Sequence, residues 1–595
     1  MGEHAKVQSK ARVSDVHEQE IRPITDGDTS MADWEAASVD GGSHGPAVSL
    51  TFSDAIDAIG MGPFQTRLVI ICGMGWVIDA VEVLVIAFVL EDIADTFDLD
   101  SVSKGLIGSA SFFGMLMGAA LWSIFADKRG RRKAFVLSLA CVFVGGIASA
   151  FASSFAALCV FRMIVGFGVG GNLPVTTALV TEFLPTNDRA QMLCRVSGVF
   201  WGMGIIVASL LGLIITNALG PGNVEARWRW FLGAAAVPSV IVAVAYRVLP
   251  ESPRFLSVME RHDEAVLVLE EVARLNGKLD VLGLDPWQPT GEGDGLQLRP
   301  GFVSDDATGS TDGVPPDSTT TDVDRVKSSN GDSQVAALAA TLREGEHVGE
   351  TRAGYKRGEE AKNAEAGDVR ELFHTPIMRR VTLCLWIVWL FVNLSYYGVT
   401  FLLPRYYHDM SGGKQDFVFI LTALVGVSFF PGAYLAMWLC SEDRLGRVGA
   451  LKWTSFATAV FFLFMAISHG VTGLFIPVSI LTLLCTAAPG TILYVVTPEL
   501  YSTKYRAVGL GSSSVVTRLG GLVAPVMSEV LYDRADPVAP LIIFGFIMIV
   551  TAVFAGMIPI ETAGRKLDDD SWDRRGEALE GSDSRVTDSG TPPGM

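Results

Sequence analysis

Apolar side chains in this chain do not alternate with polar ones. They run in windows of about 20 residues, the length an α-helix needs to cross ~30 Å of hydrocarbon. Twelve windows can be placed, near 67–90, 105–126, 134–152, 155–177, 191–216, 230–249, 380–403, 417–440, 450–468, 471–496, 507–531 and 539–559. The pattern predicts an all-α membrane protein of twelve transmembrane helices in two six-helix bundles, 67–249 and 379–559. Three polar stretches remain. They are an N-terminal tail, 1–66, expected to be mostly disordered; a linker, 250–378; and a C-terminal tail, 560–595. The linker should form a short helix, Glu264 to Leu275, and then stay disordered from about 280 to 365, where Asp, Gly, Ser and Thr replace large apolar residues.

Charge sharpens this division. The formal net charge of −18 reads as an acidic soluble protein, but the two tails and the linker carry −7, −4 and −12, which leaves the membrane part at +5. A nucleic-acid partner has no support. The seven cysteines lack CxxC spacing and read as small core residues, without disulfides or zinc. Residues 1–50 have neither a secretory apolar core nor the bias of a transit peptide. A cytosolic N-terminus puts eleven Lys and Arg of the short loops inside, among them Lys128, Arg129, Arg131, Arg132 and Lys133, against six outside. Both termini are therefore expected in the cytosol, on the plasma membrane or an organelle or vesicle membrane.

The two sixes repeat each other. Asp127-Lys128-Arg129-Gly130-Arg131 follows the second window, and Asp443-Arg444-Leu445-Gly446-Arg447 follows the eighth. Glu182 with Arg189 follows the fourth, and Glu499 with Arg506 follows the tenth; the Asp-to-Glu intervals are 55 and 56 residues. A duplicated bundle with both ends on one side is the layout of an alternating-access carrier.

At these residues the chain resembles the major facilitator superfamily. Its loop signature matches Asp127 to Arg132, with Ser123 where a Gly is usual, and Arg162, Gly166, Gly168 and Gly170 match its fourth-helix pattern. Pro250-Glu251-Ser252-Pro253-Arg254 and Pro498-Glu499-Leu500-Tyr501 match two further motifs. Asp79-Ala80-Val81-Glu82, Phe200-Trp201, Ser395-Tyr396-Tyr397-Gly398 and Arg518-Leu519-Gly520-Gly521 resemble the synaptic vesicle protein and SVOP branch with its organic-solute relatives. The short loop 404–416 and Gly490 set the chain apart from the vesicle glycoproteins. The resemblance implies helices one, four, seven and ten around a central cavity.

Candidate chemistry follows from what lipid penalises. An ionised side chain at mid-bilayer costs about 2.5–3.5 kcal/mol, and Asp79 and Glu82 stand three apart on one helix face. At ~1.5 Å per residue, Glu82 is level with Arg162, and Asp79 with Arg518. Either the acids bind protons or solute and Arg162 and Arg518 bind an anionic solute by fork-like hydrogen bonds, or these groups form static ion pairs. Trp201, Tyr397 and Asn393 are further candidate cavity groups, and Trp386, Trp389 and Tyr396 lie nearby; flat rings suit organic rings or cations. Arg195 and Glu529 lie near membrane faces, where they can snorkel. The eight histidines lie in tails, loops or helix ends, and no phosphate-binding loop of the ATP-driven type is present. Asp127, Arg131, Glu182, Arg189, Asp443, Arg447, Glu499 and Arg506 are read as a gate, a network made in one state and broken in the other.

The expectation is a monomeric, non-enzymatic carrier without cofactor or metal, proton-coupled or facilitative, moving a small organic solute across the bilayer by alternating access. The alternatives are a phosphate or sugar proton symporter, or a non-transporting receptor or scaffold of the SVOP kind.

Overall fold

The computed structural model describes residues 52–220, 222–259, 261–279, 369–441, 444–501 and 506–563. Twelve helices in it are long and apolar enough to cross a membrane. These spans, one to twelve, are Pro63–Phe97, Ser101–Arg129, Arg131–Ala150, Phe155–Phe183, Gln191–Leu219, Val224–Val248, Pro376–Ser411, Gln415–Leu439, Gly446–Ser468, Thr472–Leu500, Val508–Arg534 and Ala539–Gly556. The predicted twelve-helix architecture is the one observed, and most helices run past their apolar windows. Local signals set the ends: Pro63 opens span one, Asp98 closes it in the left-handed region, and Asp100 caps span two by accepting from Ser103 N (3.0 Å). Hydrogen bonds from Ser103 hold the Asp100 carboxyl below its ordinary range.

Glycines bring the helices of the first half together. A methyl group at Gly114 or Gly118 of span two would overlap backbone of span four, at Met163 and Phe167. One at Gly166 or Gly170 of span four would overlap Ser111 and Met115 of span two. Gly168 instead faces Ser138 of span three. Without a water-driven force between helices in lipid, such close contact is what holds spans together.

Three further α-helices, Phe52–Ile59, Pro253–Val258 and His262–Asn276, lie on the face that bears the loops after spans two and four, the terminal face. The linker helix is His262–Asn276, ended by Gly277 at φ 68, and it buries the stripe Ala265, Val266, Leu269, Val272 and Ala273. Helix Phe52–Ile59 falls inside the stretch expected to be a mostly disordered tail. Ala55, Ile56 and Ile59 are buried there, and the helix packs on the linker helix. Asn276 ties the linker helix to span one: its Nδ2 donates to Gln65 Oε1 (2.8 Å), and its Oδ1 accepts from Phe64 N (3.1 Å). The expected disorder at 280–365 and the expected gate residue Asp443 lie outside the described residues, as does the side chain of Arg506.

The halves meet along two seams. Span two packs on span eleven, where Ser109 Oγ donates to Leu522 O (2.6 Å) and Phe112 fills the space above Gly521. Span five packs on span eight through Gly202 and Gly426. A single π-helical turn, Val196–Phe200, interrupts span five just before Trp201.

Candidate transport site

The helix-one acids are fully enclosed, and each has found a different partner. Arg162 Nη2 donates to Glu82 Oε2 (2.9 Å) and to the Glu82 carbonyl (3.2 Å). Equal depth thus became contact. Asp79 accepts at Oδ1 from Asn172 Nδ2 (2.7 Å), and Asn172 Oδ1 accepts from Ser138 Oγ (2.8 Å), so spans one, four and three share one polar chain. Arg518, level with Asp79, lies within its electrostatic reach and points Nη1 at Met115 Sδ (3.9 Å). Asn172 was not among the sequence candidates. Its signal was available as the only amide in the middle of span four, an Asn in a Gly-rich apolar run.

The cluster is not self-sufficient. Asp79 Oδ2, Glu82 Oε1, Arg162 Nε and Nη1, and Arg518 Nε are buried with no hydrogen-bond partner among the described residues. A buried charged group left so is costly unless a ligand or proton completes it.

Beside the cluster a run of seven rings crosses from one half to the other. Trp389 meets Tyr494 (5.0 Å between centroids), and Tyr494 meets Trp76 of span one (5.2 Å). Trp76 meets Trp201 (6.5 Å), and Trp201 meets Tyr396 (6.2 Å). Tyr396 then meets Tyr397 (5.1 Å), and Tyr397 meets Phe112 of span two (4.5 Å). Trp201 Nε1 donates to the Tyr396 hydroxyl, bridging the halves. Trp201 and Tyr397 therefore stand in one aromatic wall, and Trp76 and Tyr494 complete it; neither had been picked out from the sequence. Asn393 is placed differently, since its Nδ2 donates to Trp389 O one turn back (2.9 Å).

On the terminal face the repeated motifs make repeated structures. Arg131 Nη2 meets Asp127 Oδ1 (3.2 Å) and Glu182 Oε1 (3.4 Å); Arg447 Nη1 meets Glu499 Oε2 (2.9 Å). Arg189 Nη2 donates to the Leu184 carbonyl (3.1 Å). At the start of span three, Glu251 accepts from Arg131 N (2.9 Å) and Arg132 N (3.3 Å). At the start of span nine, Glu561 accepts from Arg447 N (2.8 Å) and Val448 N (3.1 Å). A carboxylate on a helix N-terminus satisfies free amides and the positive end of the dipole. Gly130 (φ 101) and Gly446 (φ 68) leave the room, because a side chain at either would collide with the capping glutamate. The pairing of Glu561 with Glu251 is a third element of the repeat.

The opposite face carries a network that sequence reasoning did not assemble. Arg405 of span seven reaches Glu529 Oε2 (2.7 Å) and Asp533 Oδ1 (2.7 Å) of span eleven, and Glu91 Oε1 (3.4 Å) of span one. Lys104 of span two also bonds Glu91, and Ser101 bonds Asp533. Glu529, expected to snorkel, is instead 1% exposed at its side chain. The other half supplies neighbours that a single-helix depth count cannot include. Five charges at the ends of four helices gave no linear motif.

Comparison with known proteins agrees with this architecture. The profile of the "Sugar (and other) transporter" family matches residues 72–282 and 329–573. The organic cation/carnitine transporter 7 of Arabidopsis thaliana is 29% identical over 530 residues, covering 87% of this chain and 96% of its own. The synaptic vesicle 2-related protein of Rattus norvegicus is 27% identical, covering 90% and 85%. Among solved structures, the inward-open xylose transporter XylE from E. coli superposes with a TM-score of 0.59 at 15% identity, covering 87% of this chain and 99% of that one. A XylE structure bound to 6-bromo-6-deoxy-D-glucose gives 0.60 at 16%. At that identity the likeness is one of fold.

Proposed function

We propose that this chain, which belongs to the sugar (and other) transporter family, is a proton-coupled carrier of a small organic solute with cationic or aromatic character, working as a monomer. Two six-helix bundles, 67–249 and 379–559, rock about the site, joined by the linker 250–378. The terminal face is cytosolic, in keeping with its excess of Lys and Arg.

One observation carries this reading. Two buried carboxylates on span one, Asp79 and Glu82, each keep one oxygen without a hydrogen-bond partner among the described residues, beside a wall of rings contributed by both halves. Carboxylates hold or release a proton according to whether a counter-charge is present. Rings on both sides of the seam can follow a flat or cationic solute through the rocking motion. Glu82, held by Arg162, is the acid that stays charged in this state. Asp79, hydrogen-bonded to a neutral amide and with no direct ion pair to Arg518, is the better proton carrier.

The test is uptake by reconstituted protein across organic cations, sugars and inorganic phosphate, with and without an imposed pH gradient. Accumulation of an organic solute that depends on the gradient is expected. Asp79→Asn should abolish that accumulation while retaining exchange at equal pH on both sides. If Asp79→Asn and Glu82→Gln both accumulate solute like the parent, neither acid couples protons, and the pair is a static link between helices.

A further inference from the structure

A groove of about 820 Å³ opens on the terminal face between the ends of spans two, three and six and the linker helix. It lies away from the ring-lined site. Its floor is apolar, with Phe125, Val136, Phe255 and Leu256, and its rim is charged. The acids of that rim are occupied. Glu251 accepts from the amides of span three, Glu264 is paired in two hydrogen bonds with Arg261, and Glu271 likewise with Arg274. Three of its five cations are not; the other two are, since Arg261 pairs with Glu264 and Arg132 donates to the Arg247 carbonyl. Arg129, Lys133 and Arg247 line the groove, are exposed, and have no ion-pair partner among the described residues.

The surroundings identify what would satisfy them. Leu137 lines the groove and is 46% exposed; two turns further along span three Val144 is exposed too, as are Val244 and Ile241 on span six. These side chains belong to the lateral surface that lipid covers, so the charged rim opens directly onto the hydrocarbon. A free anion would use the cations and leave the apolar floor and flank without a role. An amphiphile uses both.

We propose that this groove is a binding site for one anionic phospholipid, its phosphate held by Arg129, Lys133 and Arg247 and its chains laid along Leu137 and the flanks of spans three and six. Anionic lipids concentrate on the cytoplasmic leaflet, the side to which the loop charges assign this face. The site also borders the gate, because Arg131 stacks over the Phe255 ring from the other side (5.1 Å to the centroid).

The full chain, purified in a zwitterionic-lipid nanodisc, is titrated with phosphatidylglycerol or phosphatidylcholine and followed by native mass spectrometry. One phosphatidylglycerol is expected to be retained, at least tenfold more tightly than phosphatidylcholine. Each cation at an anionic lipid is worth roughly fivefold in affinity, so Arg129→Gln, Lys133→Gln and Arg247→Gln together should cost about a hundredfold. Those side chains are exposed, and an unchanged thermal unfolding profile shows that the variant is folded. Leu137→Asn should weaken retention while leaving the three cations in place. Equal retention of both lipids, an unaffected triple variant, or displacement of the lipid by millimolar inorganic phosphate would overturn the proposal.

Discussion

The two halves of this molecule are alike at the terminal face and unlike at mid-membrane. Each half closes its third helix with a distant glutamate on a glycine-lined N-terminus, and each pairs the first arginine past that glycine with a glutamate at the end of its fourth helix. In the core the resemblance stops. The first half buries Asp79, Glu82, Arg162 and Asn172 in its first and fourth helices. The corresponding helices of the second half, spans seven and ten, bury Trp389, Tyr397, Ser395, Thr486 and Thr491, with Arg518 of span eleven as the buried cation. Rocking about a two-fold axis needs matched supports on both sides. Coupling chemistry needs only one acid cluster, and a second would add the cost of burying more charge.

The largest expected effect tests the charged half. Arg162→Gln leaves Glu82 buried without its counter-charge and should destabilise the protein by about 3–5 kcal/mol, whereas Glu82→Gln with Arg162→Gln should recover most of the loss. Thermal unfolding in detergent measures both. A double variant as unstable as the single one would mean that packing, not charge, sets this half apart.

Next comes the opposite face, where the halves are tied by unrelated residues. Arg405→Gln removes the cation shared by Glu529, Asp533 and Glu91. It should shift the balance toward a state open on that face by about tenfold, read from the labelling rate of a cysteine placed at Ser101. An unchanged rate would leave the network as packing only.

The capping glutamates offer a like-for-like test of the repeat. Glu251→Gln and Glu561→Gln should each cost about 1 kcal/mol, and by similar amounts. If one is silent in unfolding experiments, the duplication is one of shape and not of energy. The smallest stability effects belong to the terminal-face ion pairs read as a gate from the sequence, under ~1 kcal/mol each. Asp127 is 71% exposed and shares Arg131 with the better buried Glu182. Asp127→Asn should therefore slow exchange between the two open states less than Glu182→Gln, as followed by cysteine accessibility from each side.

Much of this was legible in the chain. Span number, the six-plus-six division and the terminal-face repeat depend on local quantities, namely the length of an apolar run and the charge of a short loop. Even the Glu82–Arg162 pair could be anticipated, because a helix rises by a fixed amount per residue and so assigns each side chain a depth. Depth says nothing of rotation about the helix axis or of which helices adjoin. The tertiary structure alone decided that Asn172 holds Asp79, that Asn393 turns back to its own helix, and that Glu251 and Glu561 reach helix starts 120 and 114 residues away. It likewise buried Glu529 against Arg405 instead of leaving it at the membrane surface. Those contacts join residues far apart in the chain, and their energy exists only once the helices have been placed side by side.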